Sequence, residues 1–429
     1  MRVLVVGQGA REHAICWKLR QSPLVKEVYA APGNAGIAQV ADCVNIGVAD
    51  IIEIADFAEK LKIDLTIVGP ELPLTLGIVD EFQKRDLPIF GPTRLAAELE
   101  GSKVFSKEFM RKYNIPTAEA TVCSSVDEAK DALKKTSYPA VIKVEGLAAG
   151  KGVVVARDKH EADEYLKLVF DQHKFGNAAN RILVEEFLTG EEISFMVITD
   201  GTRFVPLAPA KDYKKAFDGD EGPNTGGMGA HSPAVVLTGE TAAEIVKTVI
   251  VPTILGMANE GRSYTGCLYA GLMLTPKGPK VLEFNCRFGD PETQVQMLRL
   301  EDDLAEVLLK VARGNLGEIK LNWKKEAAAC VVVAVDGYPE EHPKGQEVAI
   351  DAVDESSIVL FHAGTVKRAG KLVNVAGRVI SVCAHAPTLG EALNKVYEAV
   401  PKIRFEGARY RHDIGYRALE QKKQAVAAQ

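Results

Sequence analysis

Short, continuously apolar runs that each stop at a glycine recur through the first hundred residues, and they leave few folds open. Residues 3–6 run into Gly7, residues 65–68 into Gly69, and Ile89-Phe90 into Gly91. Between them, residues 11–20 read as a helix and residues 25–30 as a strand. A further helix shows an apolar side of Ile51, Ile54, Ala55, Ala58 and Leu61, behind Asp50 and Glu53 at capping-box spacing. Strands apolar on both faces, alternating with helices, predict a parallel, doubly wound sheet of the Rossmann-like kind.

The pattern changes after a helix from residue 102 to about 113. Residues of about 120–188 predict a small insert: two strands flanking glycines 146–152, a charged helix, and a strand over 181–184. Strands over 193–199 and 204–207 follow, then a glycine-rich stretch at 222–229 and a helix ending near Asn259. A hairpin pairs 268–274 with 280–284, and one helix is predicted over 292–313. From Ala327 onward, short strands (331–335, 358–363, 378–384) and a helix over 389–400 predict a small α+β domain. The chain is thus read as α/β in three parts: 1–101, a parallel-sheet domain; 102–326, a core carrying the insert; and 327–429, α+β.

Composition excludes several function classes. With 47 % hydrophobic and 26 % charged residues the chain has enough apolar surface to fold. Net charge is −6 and no Lys/Arg block occurs, which argues against a nucleic-acid partner. No uninterrupted apolar run approaches membrane-spanning length, and the first residues turn polar too soon for a signal segment, so no membrane partner is expected. Seven cysteines scattered singly predict reduced thiols in the cytoplasm and no structural zinc.

Gly7-Gln8-Gly9-Ala10-Arg11-Glu12-His13 sits where a strand-to-helix turn can present backbone amides to a phosphate. Glu12 occupies the place of a third glycine, which favours a single phosphate over a dinucleotide; a plain tight turn explains the segment equally well. Ala31-Pro32-Gly33-Asn34-Ala35-Gly36 and Gly69-Pro70-Glu71 follow parallel strands, at the edge where such sheets bind ligands. Lys103 opens a helix and Lys143 lies inside an apolar strand, where its charge needs an anion unless the strand is an exposed edge. Gly146-Leu147-Ala148-Ala149-Gly150-Lys151-Gly152 suits a flexible lid over a triphosphate, and the residue after Lys151 rules out a Walker-type loop. In Glu185-Glu186-Phe187-Leu188, backbone groups can follow an adenine edge and Glu192 can reach ribose hydroxyls, although a hairpin with solvated acids has the same pattern. Glu283-Phe284-Asn285-Cys286-Arg287-Phe288-Gly289-Asp290-Pro291-Glu292 carries the strongest local signal. Strand alternation puts Glu283, Asn285 and Arg287 on one face, with two hard oxygen ligands for Mg²⁺ or Mn²⁺ and a guanidinium for a phosphoryl oxygen; a structural salt bridge is the competing reading. Asp212-Tyr213-Lys214-Lys215 and Gly222-Pro223-Asn224-Thr225-Gly226-Gly227-Met228-Gly229 read as substrate loops, or as surface loops.

Taken in order, these segments resemble the glycinamide ribonucleotide synthetases (phosphoribosylamine–glycine ligases) of the ATP-grasp superfamily, through essentially the whole chain. The resemblance implies an N-terminal domain that binds the ribose phosphate and an ATP-grasp core that clamps ATP under a lid. It also implies ligation of glycine to 5-phosphoribosylamine in purine biosynthesis. By motif, Lys103, Lys143, Gly150, Lys151, Gly152, Glu185, Phe187, Leu188 and Glu192 would hold ATP, and Glu283 and Asn285 the metal. Arg287, with Lys143 and Lys103, would act in catalysis. The two substrates would meet Gly9, Arg11, Glu12, Asn34, Gly69, Pro70, Glu71, Asp212, Asn224, Thr225, Gly226 and Asp290. Two departures stand out: Gly271 takes the place of an acidic metal ligand, and Tyr213 and Lys215 replace the family's histidine and arginine. A monomer without further fused domains is expected. The alternatives are an ATP-grasp ligase acting on formate or bicarbonate, a nucleotide sensor without catalysis, and an NAD oxidoreductase, against which Glu12 argues.

Overall fold

The structure is a computed structural model and describes residues 1–147, 152–234 and 237–420. The amino-terminal sheet is parallel and five-stranded, in the order Asp42–Cys43, Glu27–Pro32, Arg2–Gly7, Leu65–Val68, Ile89–Phe90. Strand order reverses about Arg2–Gly7, so the loops after Gly7, Pro32 and Val68 gather at one crevice. Val3 to Val6 are fully or almost fully buried because helices cover both faces. The helix predicted at Asp50 forms as Ile51–Lys60, but the Asp50 side chain makes no cap bond, so the capping box seen in the sequence is not used.

The insert is a four-stranded antiparallel sheet, ordered Ala120–Cys123, Ile182–Glu186, Ala140–Val144, Val153–Ala156. Helices Val126–Lys135 and Lys159–Leu166 pack on it around a core of its own; the sequence reading had missed the first of these helices. A second antiparallel sheet orders Phe204–Pro206, Glu191–Asp200, Thr265–Thr275 and Gly278–Asn285. Its last pair contains a bulge: Gly271 faces Glu283 while Leu272 faces Val281. The extra residue, Leu282, breaks the simple alternation expected here, so that Val281 and Phe284, three apart, both enter one apolar core.

The helix predicted over 292–313 is two helices, Glu292–Arg299 and Leu304–Ala312. Asp303 caps the second by accepting from the amides of Ala305 and Glu306. The helical run Gly239–Asn259 has 21 residues at hydropathy 1.4, long and apolar enough to cross a membrane; its Ile245, Val249, Ile250, Ile254 and Met257 are buried in the apolar core that also takes Val281 and Phe284. The closing sheet is not confined to residues after 327. Its order is Lys211–Asp212, Gly229–Ser232, Ala327–Val335, Arg378–Ala386, Ile358–His362, with Ala408–Arg409 added on Ala327–Val335. The strands Lys211–Asp212 and Gly229–Ser232, which bracket residues 213–228, therefore belong to the carboxy-terminal sheet.

Candidate active site

The helix Lys103–Lys112 starts at Ser102, whose hydroxyl accepts from the Phe105 amide. That start places Lys103 and Lys107 one turn apart on one face. The Lys103 ammonium donates to the Gly146 carbonyl at 3.0 Å, at the entry to the glycine loop. Gly150 and Lys151 lie outside the described residues; Gly152 is buried and its carbonyl accepts from the Val144 amide. Lys143, on the middle of the insert sheet, reaches Glu185 at 2.9 Å and the carbonyl of the bulge residue Leu282 at 3.1 Å. Lys107 approaches the other oxygen of Glu185 at 3.3 Å and donates to Thr117 Oγ1 and the Ala118 carbonyl. One buried carboxylate thus faces two buried ammonium groups, and burial lowers the Lys107 pKa to about 8. Lys107 was not singled out in the sequence, although its i+4 spacing from Lys103 was a usable signal.

Phe187, 41 % exposed, and buried Leu188 lie on the crossing from strand Ile182–Glu186 to strand Glu191–Asp200, where the insert joins the core. Next to the crossing, Glu192 pairs with Lys214 Nζ at 2.5 Å, and the same ammonium lies 3.3 Å from Glu283. Glu283, 38 % exposed, is held down to about pKa 2 by Lys214, then Lys143 and Lys103. Asn285 is buried and its Oδ1 accepts from Arg287 at 2.9 Å. Arg287 is therefore turned toward the amino-terminal domain: its guanidinium sits 3.1 Å from Glu100 and 3.5 Å from Glu71. Glu100 is a further residue that sequence reasoning passed over.

The donor set fits a hard divalent cation. Glu283 and Asn285 supply oxygens, and Gly271, paired with Glu283 across the hairpin, puts no side chain opposite it. Lys103, Lys143 and Lys214 around this carboxylate favour the phosphates that would complete such a shell. Among the described residues no cluster of three or more acids, histidines or cysteines offers an all-protein metal cage.

Toward the crevice of the parallel sheet, Glu12 folds back under its own turn. It accepts from the Gly9 amide at 2.5 Å and from Arg11 Nε at 2.5 Å, while Arg11 also donates to the Phe288 carbonyl. Gly7 and Gly69 make room for it, since a Cβ on either would strike the Glu12 side chain. Pro70 precedes the helix Glu71–Leu76, whose first residue meets Arg287. Asn34 is spent on the fold: its Oδ1 accepts from the amides of Gly36 and Ile37, and its Nδ2 donates to the carbonyls of Gln8, His362 and Ala363.

The glycine-rich loop closes the third side. Asn224 pairs with Lys215 in a short ladder, and Thr225 bonds the Lys214 carbonyl through both its amide and its hydroxyl. Gly226 donates to the Tyr338 hydroxyl, and its carbonyl accepts from Arg378 at 2.6 Å. Arg378 also pairs with Asp290 at 3.0 Å, which with Arg11 keeps that carboxylate below its usual range against the effect of burial. Asp212 is different. Its Oδ1 is buried and accepts no hydrogen bond among the described residues, and burial, with Glu292 nearby, pushes its pKa well up. Arg378 comes from the carboxy-terminal sheet and carried no local signal in the sequence.

A small four-stranded antiparallel sheet beside a second sheet that presents lysines and a carboxylate–amide pair is the ATP-grasp arrangement. Three family models match in sequence: the N domain, the ATP-grasp (A) domain and the C domain of phosphoribosylglycinamide synthetase, over residues 1–100, 101–293 and 328–417. The chain belongs to this family. It is 47 % identical over 430 residues to a phosphoribosylamine–glycine ligase of Haemophilus influenzae, covering 99 % of the chain and 100 % of the relative. A relative of the same name from Halalkalibacterium halodurans is also 47 % identical, with 100 % and 99 % covered. The crystal structure of the Thermotoga maritima phosphoribosylamine–glycine ligase aligns with TM-score 0.83 at 35 % identity, covering 96 % of this chain and 100 % of that one. The biotin carboxylase domain of Hydrogenobacter thermophilus 2-oxoglutarate carboxylase, in complex with MgADP, ADP and bicarbonate, has TM-score 0.74 at 17 % identity, over 95 % and 91 % of the two chains; there the likeness is one of fold.

Proposed function

We propose that this chain joins glycine to 5-phosphoribosylamine, forming glycinamide ribonucleotide with conversion of ATP to ADP and phosphate, by way of glycyl phosphate. The observation that carries this reading is Lys214 at 3.3 Å from Glu283 with Lys143 on the adjoining Leu282 carbonyl, within a chain that matches its relatives end to end. Lys103 and Lys143 hold the phosphate tail. The Phe187–Leu188 backbone and Glu185 hold adenine, and Glu192 the ribose. Glu283 and Asn285 would hold Mg²⁺ or Mn²⁺, which when bound offsets phosphate charge. The glycine carboxylate attacks the γ-phosphate, and the amine of phosphoribosylamine then displaces phosphate from the acyl phosphate. No side-chain nucleophile is needed, since both attacking atoms belong to substrates. Asp212, Asp290 and Arg287 border the glycine position, with Asn224, Thr225 and Gly226 beside them. Gly9, Arg11, Glu12, Asn34, Gly69, Pro70 and Glu71 shape the ribose-phosphate crevice, Asn34 and Glu12 by fixing the loops around it. Closure of the lid over the triphosphate keeps water from the acyl phosphate.

We also read the protein as a monomer of the cytoplasm. All seven cysteines are unpaired and six are buried, which suits a reducing compartment, and light scattering should return the mass of one chain. The reaction is tested by generating 5-phosphoribosylamine in situ and following ADP. Release should require both glycine and the amine. Equal release with formate or bicarbonate in place of glycine would contradict the assignment.

A further inference from the structure

The two acids assigned to ribose and metal already share a cation supplied by the protein. Lys214 Nζ lies 2.5 Å from Glu192 and 3.3 Å from Glu283. Its main chain is fixed: the Lys214 carbonyl accepts from the Thr225 amide at 2.7 Å and from the Thr225 hydroxyl at 2.8 Å. Tyr213 on one side bonds Gly229 and Met228. The ammonium therefore sits on a flexible four-carbon stem whose base is bolted to the glycine-rich loop, and it can change partners without moving the backbone.

A second observation gives it somewhere to go. Asp212, two residues earlier, presents a buried Oδ1 without a hydrogen bond among the described residues. Gly227 packs so closely that a Cβ there would come 2.7 Å from this oxygen, and Pro291 and the Asp290 carbonyl close the same space. A buried carboxylate oxygen without a donor is costly. Lys214 thus holds two carboxylates at once, while Asp212, two residues before it and close to Asp290, has an oxygen without a donor among the described residues.

We propose that Lys214 is a placeholder cation, holding Glu192 and Glu283 while the cleft is empty and turning toward Asp212 when nucleotide and divalent cation take those acids. This deepens the assignment of Glu192 and Glu283 given above and rests on it. A divalent ion on Glu283 repels an ammonium at this range, and ribose hydroxyls compete for Glu192. Displaced from both, the ammonium adds positive charge beside Asp212, at the border of the glycine position assigned above. Nucleotide binding thereby prepares the glycine position, and linkage requires glycine to tighten nucleotide binding equally. In the empty enzyme the same lysine keeps bare metal off Glu283.

The test is calorimetric titration of the full chain with three probes: Mg²⁺ alone, MgADP, and glycine with or without saturating MgADP. In the unaltered protein glycine should bind about tenfold tighter once MgADP is present. Lys214→Met should bind Mg²⁺ alone about tenfold tighter than the parent, and should lose the effect of MgADP on glycine. Lys214→Arg keeps the charge and should keep the parent's affinity for Mg²⁺. If the parent binds MgADP but Lys214→Met gains no affinity for Mg²⁺, the placeholder role is wrong and the nucleotide assignment stands. If the parent shows no coupling between MgADP and glycine, the role is wrong whatever the variants do, including a Met variant that fails to fold. If the parent does not bind MgADP, the underlying assignment falls and takes this one with it.

Discussion

The seam between the amino-terminal domain and the carboxy-terminal sheet, and the cleft beside the insert sheet, are both lined with polar residues, yet they are wired in opposite ways. At the seam, side chains are matched to fixed partners. Asn34 bonds five backbone groups, His13 Nδ1 accepts from the His362 amide at 2.9 Å, and His362 Nδ1 meets Thr365 Oγ1 at 2.9 Å. In the cleft, charges are shared or left over: Glu185 between two lysines, Lys214 between two acids, Asp212 with an oxygen unanswered among the described residues. Satisfied networks fix a structure, whereas unsatisfied ones mark where ligands complete the pairing. Changes at the seam should therefore cost stability and spare binding, and changes in the cleft should cost binding first.

The largest effect is expected at Glu283. Glu283→Ala should lower ligation by on the order of 10³-fold in magnesium buffer, measured by glycine-dependent ADP release; near-normal turnover would erase the distinction between the regions. Next comes Glu185→Gln, which leaves Lys107 and Lys143 facing a neutral amide. Because Glu185 is the group assigned to adenine, the change should weaken ADP binding about tenfold in calorimetric titration. A loss of stability with unchanged ADP affinity would make Glu185 a seam-like residue.

Gly36→Ala probes the seam itself. The added Cβ would lie 2.5 Å from both His13 Cε1 and His362 Cγ, for an expected loss of about 2 kcal/mol with unchanged ADP affinity; weakened ADP binding would show that the two regions communicate. The smallest effect is one of pH. Burial, and for His13 the neighbouring His362, lowers the histidine pKa values from 6.5 to about 3 for His13 and about 4 for His362. Both stay neutral in the fold and protonate once unfolded, so their contribution is complete above pH 6.5 and fades as pH falls toward 4. Each histidine accounts for about 1 kcal/mol of loss at pH 5.5. The melting temperature should decline below pH 6.5, less steeply in His362→Gln, and a profile flat from pH 7 to 5 would remove the seam histidines from the account.

Much of the fold was legible because it is written locally. Apolar strands ending on glycine gave the parallel sheet, and the hairpin Thr265–Thr275 with Gly278–Asn285 announced itself by its turn. Features set by tertiary contacts were not legible. The bulge at Leu282, which exposes a carbonyl to Lys143, shows only when two strands are paired. The break after Arg299 needed Asp303 to be recognised as a cap inside an otherwise helical run. Asp50 had the spacing of a cap and does not act as one. Glu283, Asn285, Lys103 and Lys143 were named in sequence because each sits in a motif. Lys107, Glu100 and Arg378 were missed, because their partners lie 78, 187 and 88 positions away in Glu185, Arg287 and Asp290.

The central claim is that the lysines and the Glu283–Asn285 pair together receive a nucleotide's phosphates and a divalent cation. A crystal structure of the full chain with MgADP tests it most directly. The phosphates should lie against Lys103 and Lys143, with the metal on Glu283 and Asn285; nucleotide bound with its phosphates remote from both would contradict it.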